Sequence, residues 1–218
     1  MPRILAVADE IDPGLTFETL KRLEPDLILS CGDLPFDELE RMVDATNVPL
    51  LYVPGNHDPA LRARREPIAF PMTLAPSDLI DPPGPRGCTN LDGRIEDAAG
   101  LRVAGLGGSL RYREGPNQYT QGQMHRRARR LARRAALRRR LGGRSVDVFV
   151  THAPPRGVGD EDRDPVHHGF EAFHQIVRRM RPRLLVHGHV HPYGIERPDR
   201  ELDGTRVVNV VPYRLLDL

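Results

Sequence analysis

The chain has 218 residues, of which 39% are hydrophobic and 28% charged, with a formal net charge of +2. It is long enough to bury a core without disulfide staples, and its composition is ordinary for a soluble globular protein. No apolar run is long enough to span a bilayer, the N-terminus carries no cleavage-site pattern, and two cysteines, Cys31 and Cys88, make no disulfide framework. One domain over residues 1–218 in a reducing cytoplasm is expected, with no membrane partner.

Ile4, Leu5, Ala6, Val7 and Ala8 form a near-continuous apolar run ending in Asp9, the pattern of a strand covered on both faces. Leu15, Thr19, Leu20 and Leu23 follow helical spacing, closed by Pro25. A second buried strand over 26–31 ends in Gly32-Asp33, and Phe36, Leu39, Met42 and Val43 mark a second helix. A third strand over 49–53 runs into Gly55-Asn56-His57-Asp58. This β-α-β-α-β alternation predicts a parallel sheet.

Prolines at 59, 67, 71, 76, 82, 83 and 85 predict a loop-rich excursion over 59–90. Residues 93–96 and 101–106 read as a hairpin that starts a second sheet, ended by Gly107-Gly108-Ser109. Thr120 and Gln123 fit a capping box, so a helix is expected to run to about Leu141, before Gly142-Gly143. Its apolar stripe, Met124, Ala128, Leu131 and Ala135, is thin, as in a surface helix. A buried strand over 146–151 ends in His152, and Phe170, Phe173, Ile176, Val177 and Met180 make an amphipathic helix. A strand over 183–186 runs into His187-Gly188-His189-Val190-His191, and residues 205–210 are the last strand.

Charge is unevenly spread. Residues 111–144 hold twelve arginines against one acid, Glu114; that +11 within a total of +2 leaves −9 for the rest. Such polarity can attract an anionic partner, nucleic acid included. Only Tyr112 and Tyr119 interleave with these arginines, too few for a base-stacking platform. Lys21 is the single lysine, so the arginines also reflect a compositional preference.

Five strands end in ligand-type residues: Asp9, Asp33, Asn56-His57-Asp58, His152, and His189 with His191. Alone, each Asp reads as a turn or helix cap and each His as a satisfied polar residue. Together, a parallel sheet collects them at one edge, where open α/β sheets place ligands. Carboxylates, an amide oxygen and imidazoles suit borderline divalent ions such as Mn, Fe, Zn, Co or Ni rather than Ca or Mg.

In order, Gly32-Asp33, Gly55-Asn56-His57-Asp58, Thr151-His152 and Gly188-His189-Val190-His191 resemble the calcineurin-like metallophosphoesterases, over nearly the whole chain. The resemblance implies an α/β fold, a two-layer sandwich of mixed β-sheets flanked by helices, around two divalent metal ions. Carried over by position, Asp33 bridges the ions, Asp9 and His191 belong to the first, and Asn56, His152 and His189 to the second. His57 protonates the leaving oxygen or stabilises the transition state, held by Asp58. The family's Asp-x-His after the first strand is here Asp9-Glu10-Ile11, so the first site lacks an imidazole. Water, Asp12 or Glu10 would have to fill that gap, and a weaker, exchangeable first ion is expected.

The implied activity is hydrolysis of a small phosphate ester, mono- or diester, by metal-activated water. Two alternatives are a nuclease that tracks phosphates with the arginine helix, and a metal-stabilised interaction module that docks through residues 123–141. His187 is expected to be packed. His167-His168, and Asn117, Gln118 and Tyr119, are candidates for the substrate pocket or for plain structural turns.

Overall fold

Each buried run forms a strand whose two faces pack against different layers. The computed structural model describes residues 1–61, 84–194 and 197–218. In β1 (Arg3–Val7), Ile4 and Ala6 join the central core, whereas Leu5 and Val7 join an outer cluster with Leu20, Leu39 and Met42. This is the period-2 alternation of a strand with both faces apolar. The outer cluster is covered by α1 (Phe17–Leu23) and α2 (Phe36–Thr46). Thr16 caps α1 by accepting the Thr19 N–H at 3.1 Å.

The first sheet has the order β13-β1-β2-β3-β4, adding β2 (Leu27–Ser30), β3 (Leu50–Tyr52), β4 (Cys88–Asn90) and β13 (Tyr213–Asp217). β1 to β4 run parallel, and β13 lies antiparallel along β1. The second sheet has the order β11-β12-β10-β9-β6-β5. It comprises β5 (Ile95–Ala98), β6 (Leu101–Leu106), β9 (Val148–Thr151), β10 (Leu184–His187), β11 (Arg200–Leu202) and β12 (Thr205–Asn209). Its inner four strands are parallel and its two edge strands antiparallel.

Leu27, Leu29 and Leu51 of one sheet meet Val103, Val148, Val150 and Val186 of the other in the central core. The far face of the second sheet is covered by α3 (Gln121–Arg140) and α4 (Ala172–Met180), with Phe149 and Phe173 edge-on at 5.5 Å. This is the mixed-sheet sandwich flanked by helices that the resemblance implied. Periodicity alone puts the five strand ends that carry candidate ligands on one parallel sheet. They are instead shared between two, because a run covered on both faces does not encode which layer it joins.

The hairpin at 95–106 and the capping box are present: Gln123 N–H donates to Thr120 Oγ1 at 3.2 Å, and Thr120 N–H to Gln123 Oε1 at 2.8 Å. The arginine face of α3 is less free than its sequence suggests. Arg127 grips both carboxylate oxygens of Asp92, and Arg134 and Arg138 donate to the carbonyls of Gly93 and Ile95. The expected loop-rich stretch at 59–90 lies mostly outside the described residues. Among the described residues no helix is long and apolar enough to cross a membrane.

Candidate metal centre and active site

Asp9, Asp33 and Asn56 follow β1, β2 and β3 of the first sheet; His152 follows β9, and His189 and His191 follow β10, of the second. Asp9, Asp33 and His189 have φ of 61°, 58° and 67°. This left-handed geometry is uncommon outside glycine and is best tolerated by Asn, Asp and His. It turns each chain sharply at its strand end. Two glycines let the turns close on one another. A Cβ on Gly55 would lie 2.1 Å from Asp33 Oδ1, and one on Gly188 2.2 Å from Asp9 Oδ2.

His152 is the hub. It is fully buried, with Nδ1 2.8 Å from the Cys31 carbonyl and Nε2 2.9 Å from Asn56 Oδ1 and 3.3 Å from Asp33 Oδ2. Asp9, Asp33 and His152 each offer a ligand atom, all within 4.8 Å of one another. Burial opposes a charge on His152, but the Asp33 carboxylate outweighs it and lifts the imidazole to about 9. Burial likewise works against the Asp33 carboxylate, but the His152 charge prevails and takes it down to about 2. Burial raises Asp9 to about 6.

His189 N–H donates to Asp9 Oδ2 at 2.9 Å, and its Nε2 lies 2.9 Å from the Val166 carbonyl. A proton on Nε2 leaves the Nδ1 lone pair free to bind a cation. Burial, followed by repulsion from His152, lowers His189 to about 3, so the ring is neutral near pH 7. Its centroid is 4.8 Å from that of His152. His191 has Nδ1 2.6 Å from Glu10 Oε1 and Nε2 4.0 Å from Asp9 Oδ1.

The Asn56-His57-Asp58 turn divides its work. Asn56 points Oδ1 at His152 and Nδ2 at the Tyr112 hydroxyl, 3.3 Å away. His57 is exposed, and its backbone N–H donates to Asp33 Oδ1 at 2.8 Å. Asp58 was expected to hold the His57 ring. Its Oδ2 instead accepts the N–H groups of Gly55 and Asp33, at 2.8 and 3.1 Å, and among the described residues no hydrogen bond joins it to that ring.

The chemistry of the donor set fits divalent ions. Both nitrogens of His152 face acceptor oxygens, so a neutral ring opposes one lone pair to another, and positive charge at Nε2 removes the conflict. Carboxylates, an amide oxygen and imidazoles are the ligands borderline ions take.

The sequence model of the calcineurin-like phosphoesterases matches residues 3–193. The chain belongs to this family. The calcineurin-like phosphoesterases are metal-dependent hydrolases of phosphoesters. One solved crystal structure superposes with a TM-score of 0.60 at 18% identity, covering 96% of this chain and 90% of that one. The crystal structure of TT1561 of Thermus thermophilus does so with a TM-score of 0.56 at 17% identity, covering 95% and 88%. At such identities the likeness shows the fold. No curated protein matches the sequence.

Against the pattern of the calcineurin-like phosphoesterases, Ile11 is 52% exposed beside Glu10 and Asp12 and supplies no ligand. Glu10 goes to His191 Nδ1, where it orients that ring with Nε2 towards Asp9. Sequence reading did not assign this role, since an acid beside a ligand gives no sign of which residue it will meet. Tyr112, next to Asn56, was also missed as a site residue. His167, named as a pocket candidate, packs its ring 5.1 Å from His189 and 6.4 Å from His191, with Nδ1 2.7 Å from Asp164 Oδ2. His187 is buried as expected.

Proposed function

We propose that this chain hydrolyses a small phosphate ester, with Asp9, Asp33 and His191 around a first divalent ion and Asp33, Asn56, His152 and His189 around a second. The observation that carries this reading is the meeting of Asp9, Asp33 and His152 within 4.8 Å at the junction of two sheets. Bound divalent ions supply Lewis-acid polarisation of the phosphoryl group and ready deprotonation of an attacking water. Asp33 stays ionised near pH 7 and can serve two cations at once. Glu10 and the Val166 carbonyl fix which nitrogen His191 and His189 present. His57, exposed and tethered by its N–H to Asp33, would give a proton to the departing alcohol. Asp58 acts one step back, keeping the Gly55 and Asp33 backbones in register. The first ion is the weaker one, because Ile11 offers it nothing.

The test is turnover of aryl phosphomonoesters and diesters by protein stripped of metal and then reloaded separately with Mn, Fe, Co, Ni and Zn. Activity is expected only after reloading, and Asp33→Asn should abolish it. Equal turnover by stripped protein, or an unaffected Asp33→Asn, would overturn the reading.

A further inference from the structure

The site has an edge that the metal ligands do not account for. β7 (Ser109–Leu110) and β8 (Gln118–Tyr119) form a small parallel pair, and the loop between them rests on the Asn56-His57-Asp58 turn. Two contacts seat it: Asn117 Nδ2 donates to the Asp58 carbonyl at 3.1 Å, and Asn56 Nδ2 donates to the Tyr112 hydroxyl at 3.3 Å. Inside the loop, the buried Gln118 accepts the N–H groups of Tyr112 and Arg113 on Oε1, at 3.4 and 3.3 Å. The tip is thus pinned from below, and the residues it presents stand in fixed positions beside the metal centre.

Tyr112 and Arg113 are those residues. The Tyr112 oxygen accepts from Asn56, so its own hydrogen remains to be donated, and no acceptor for it is found among the described residues. Tyr112 is 36% exposed, and the Arg113 guanidinium lies 5.4 Å from its ring centroid. Arg113 has no carboxylate partner among the described residues. One amide, that of Asn56, separates the phenol from His152. The phenol is therefore within reach of whatever the centre binds, and the guanidinium is offset from it by the width of a ring.

We propose that Tyr112 and Arg113 are the substrate-recognition edge of the site. The Tyr112 O–H donates to a non-bridging oxygen of the scissile phosphate. Arg113 forms a forked pair with a second oxyanion elsewhere on the substrate, a further phosphate or a carboxylate. The scissile phosphate already sits against the cation centre, so a displaced guanidinium is best matched by charge that the centre does not cover. Preferred substrates thus carry an oxyanion beyond the ester that is cleaved. This inference rests on the hydrolase reading above.

Three aryl phosphate esters on Mn-loaded protein test it: one with no further charge, its carboxylate-bearing analogue, and its analogue bearing a second phosphate. The unsubstituted protein should favour one or both charged esters in kcat/KM, and which one identifies the oxyanion. In Arg113→Gln the ratio of charged to uncharged kcat/KM should fall about tenfold, mainly through KM. Tyr112→Phe should lower kcat about tenfold on all three while metal content and Tm stay unchanged. An unaltered ratio in Arg113→Gln, or a Tyr112→Phe protein that loses metal in step with activity, overturns the proposal. If the unsubstituted protein turns over none of the three, the hydrolase reading fails. Calorimetric binding of the same esters then decides the recognition edge by the same ratio.

Discussion

The Nε2 atom of His152 lies 3.3 Å from the Asp33 carboxylate while its Nδ1 is committed to the Cys31 carbonyl. In metal-free protein that pairing favours a doubly protonated ring, lifted from 6.5 to about 9. A cation at Nε2 must displace the proton, so metal binding at pH 7 should release about one proton from this ring. Calorimetry in buffers of different ionisation enthalpy measures that number, and metal affinity should weaken as the pH falls. Zero protons released at pH 7 would show that His152 is neutral before the ion arrives.

The same shifts fix the stability of the metal-free chain. His152 has a folded value above its ordinary one, so its contribution is complete below 6.5 and is lost as the pH rises through about 9. Asp9, raised to about 6, loses its contribution between 3.8 and 6. Asp33, lowered to about 2, is stabilising above 3.8 and loses that contribution as the pH falls through 2. The buried His189 and His187 rings, lowered to about 3 and about 4, add stability as the pH rises towards 6.5 and outweigh the Asp9 loss. The metal-free Tm should therefore decline only from about pH 6.5 towards pH 9, and saturating metal should flatten that decline. A metal-free Tm that climbs over that range would contradict the assignment.

Asp58 and His57 should separate cleanly. Asp58→Ala strands the N–H groups of Gly55 and Asp33 in a largely buried setting and should cost about 1–3 kcal/mol for each that stays unpaired. His57→Ala removes an exposed ring and should change stability by no more than about 0.5 kcal/mol while lowering turnover. Urea denaturation alongside single-substrate kinetics reads both. Equal stability losses would return Asp58 to the role of holding His57.

Gly188→Ala is expected to fold and to bind metal poorly. Its Cβ would sit 2.2 Å from Asp9 Oδ2, and relief of that clash must displace the carboxylate proposed to hold the first ion. Metal affinity should drop at least about tenfold, the scale seen when ligand supports are lost. A calorimetric isotherm matching that of the parent protein would mean the turn relaxes elsewhere.

Ile11→His restores the imidazole that the family pattern carries at this place. Position 11 is exposed, so the change should cost little stability. Metal analysis after gel filtration should then find two tightly held ions per chain where the parent protein keeps one. Two ions in both proteins would show that the first site is complete without position 11.

Much of this was legible because apolar runs end abruptly. Val53 to Asn56, Thr151 to His152 and Val186 to His189 each pass from core to ligand within a few residues, and such borders survive in sequence. Layer membership does not, since β3 and β9 are equally apolar on both faces yet lie in different sheets. β13 went unseen because only Leu216 of its five residues is buried, so it has no pattern to display. The arginines of α3 looked like a free basic face. Their partners, Asp92 and the Gly93 and Ile95 carbonyls, lie 35 to 43 residues away, and no local pattern announces them.

The proposed ligand set is split evenly, with Asp9, Asp33 and Asn56 on one sheet and His152, His189 and His191 on the other. Neither layer alone can hold an ion in this way. A cation placed among them works as a clasp across the sandwich, and its binding free energy is added to the cohesion of the two layers. At a hundredfold excess over Kd that is about 2.7 kcal/mol. Any parting of the layers opens the clasp at once, so ion occupancy doubles as a gauge of whether the sandwich is closed.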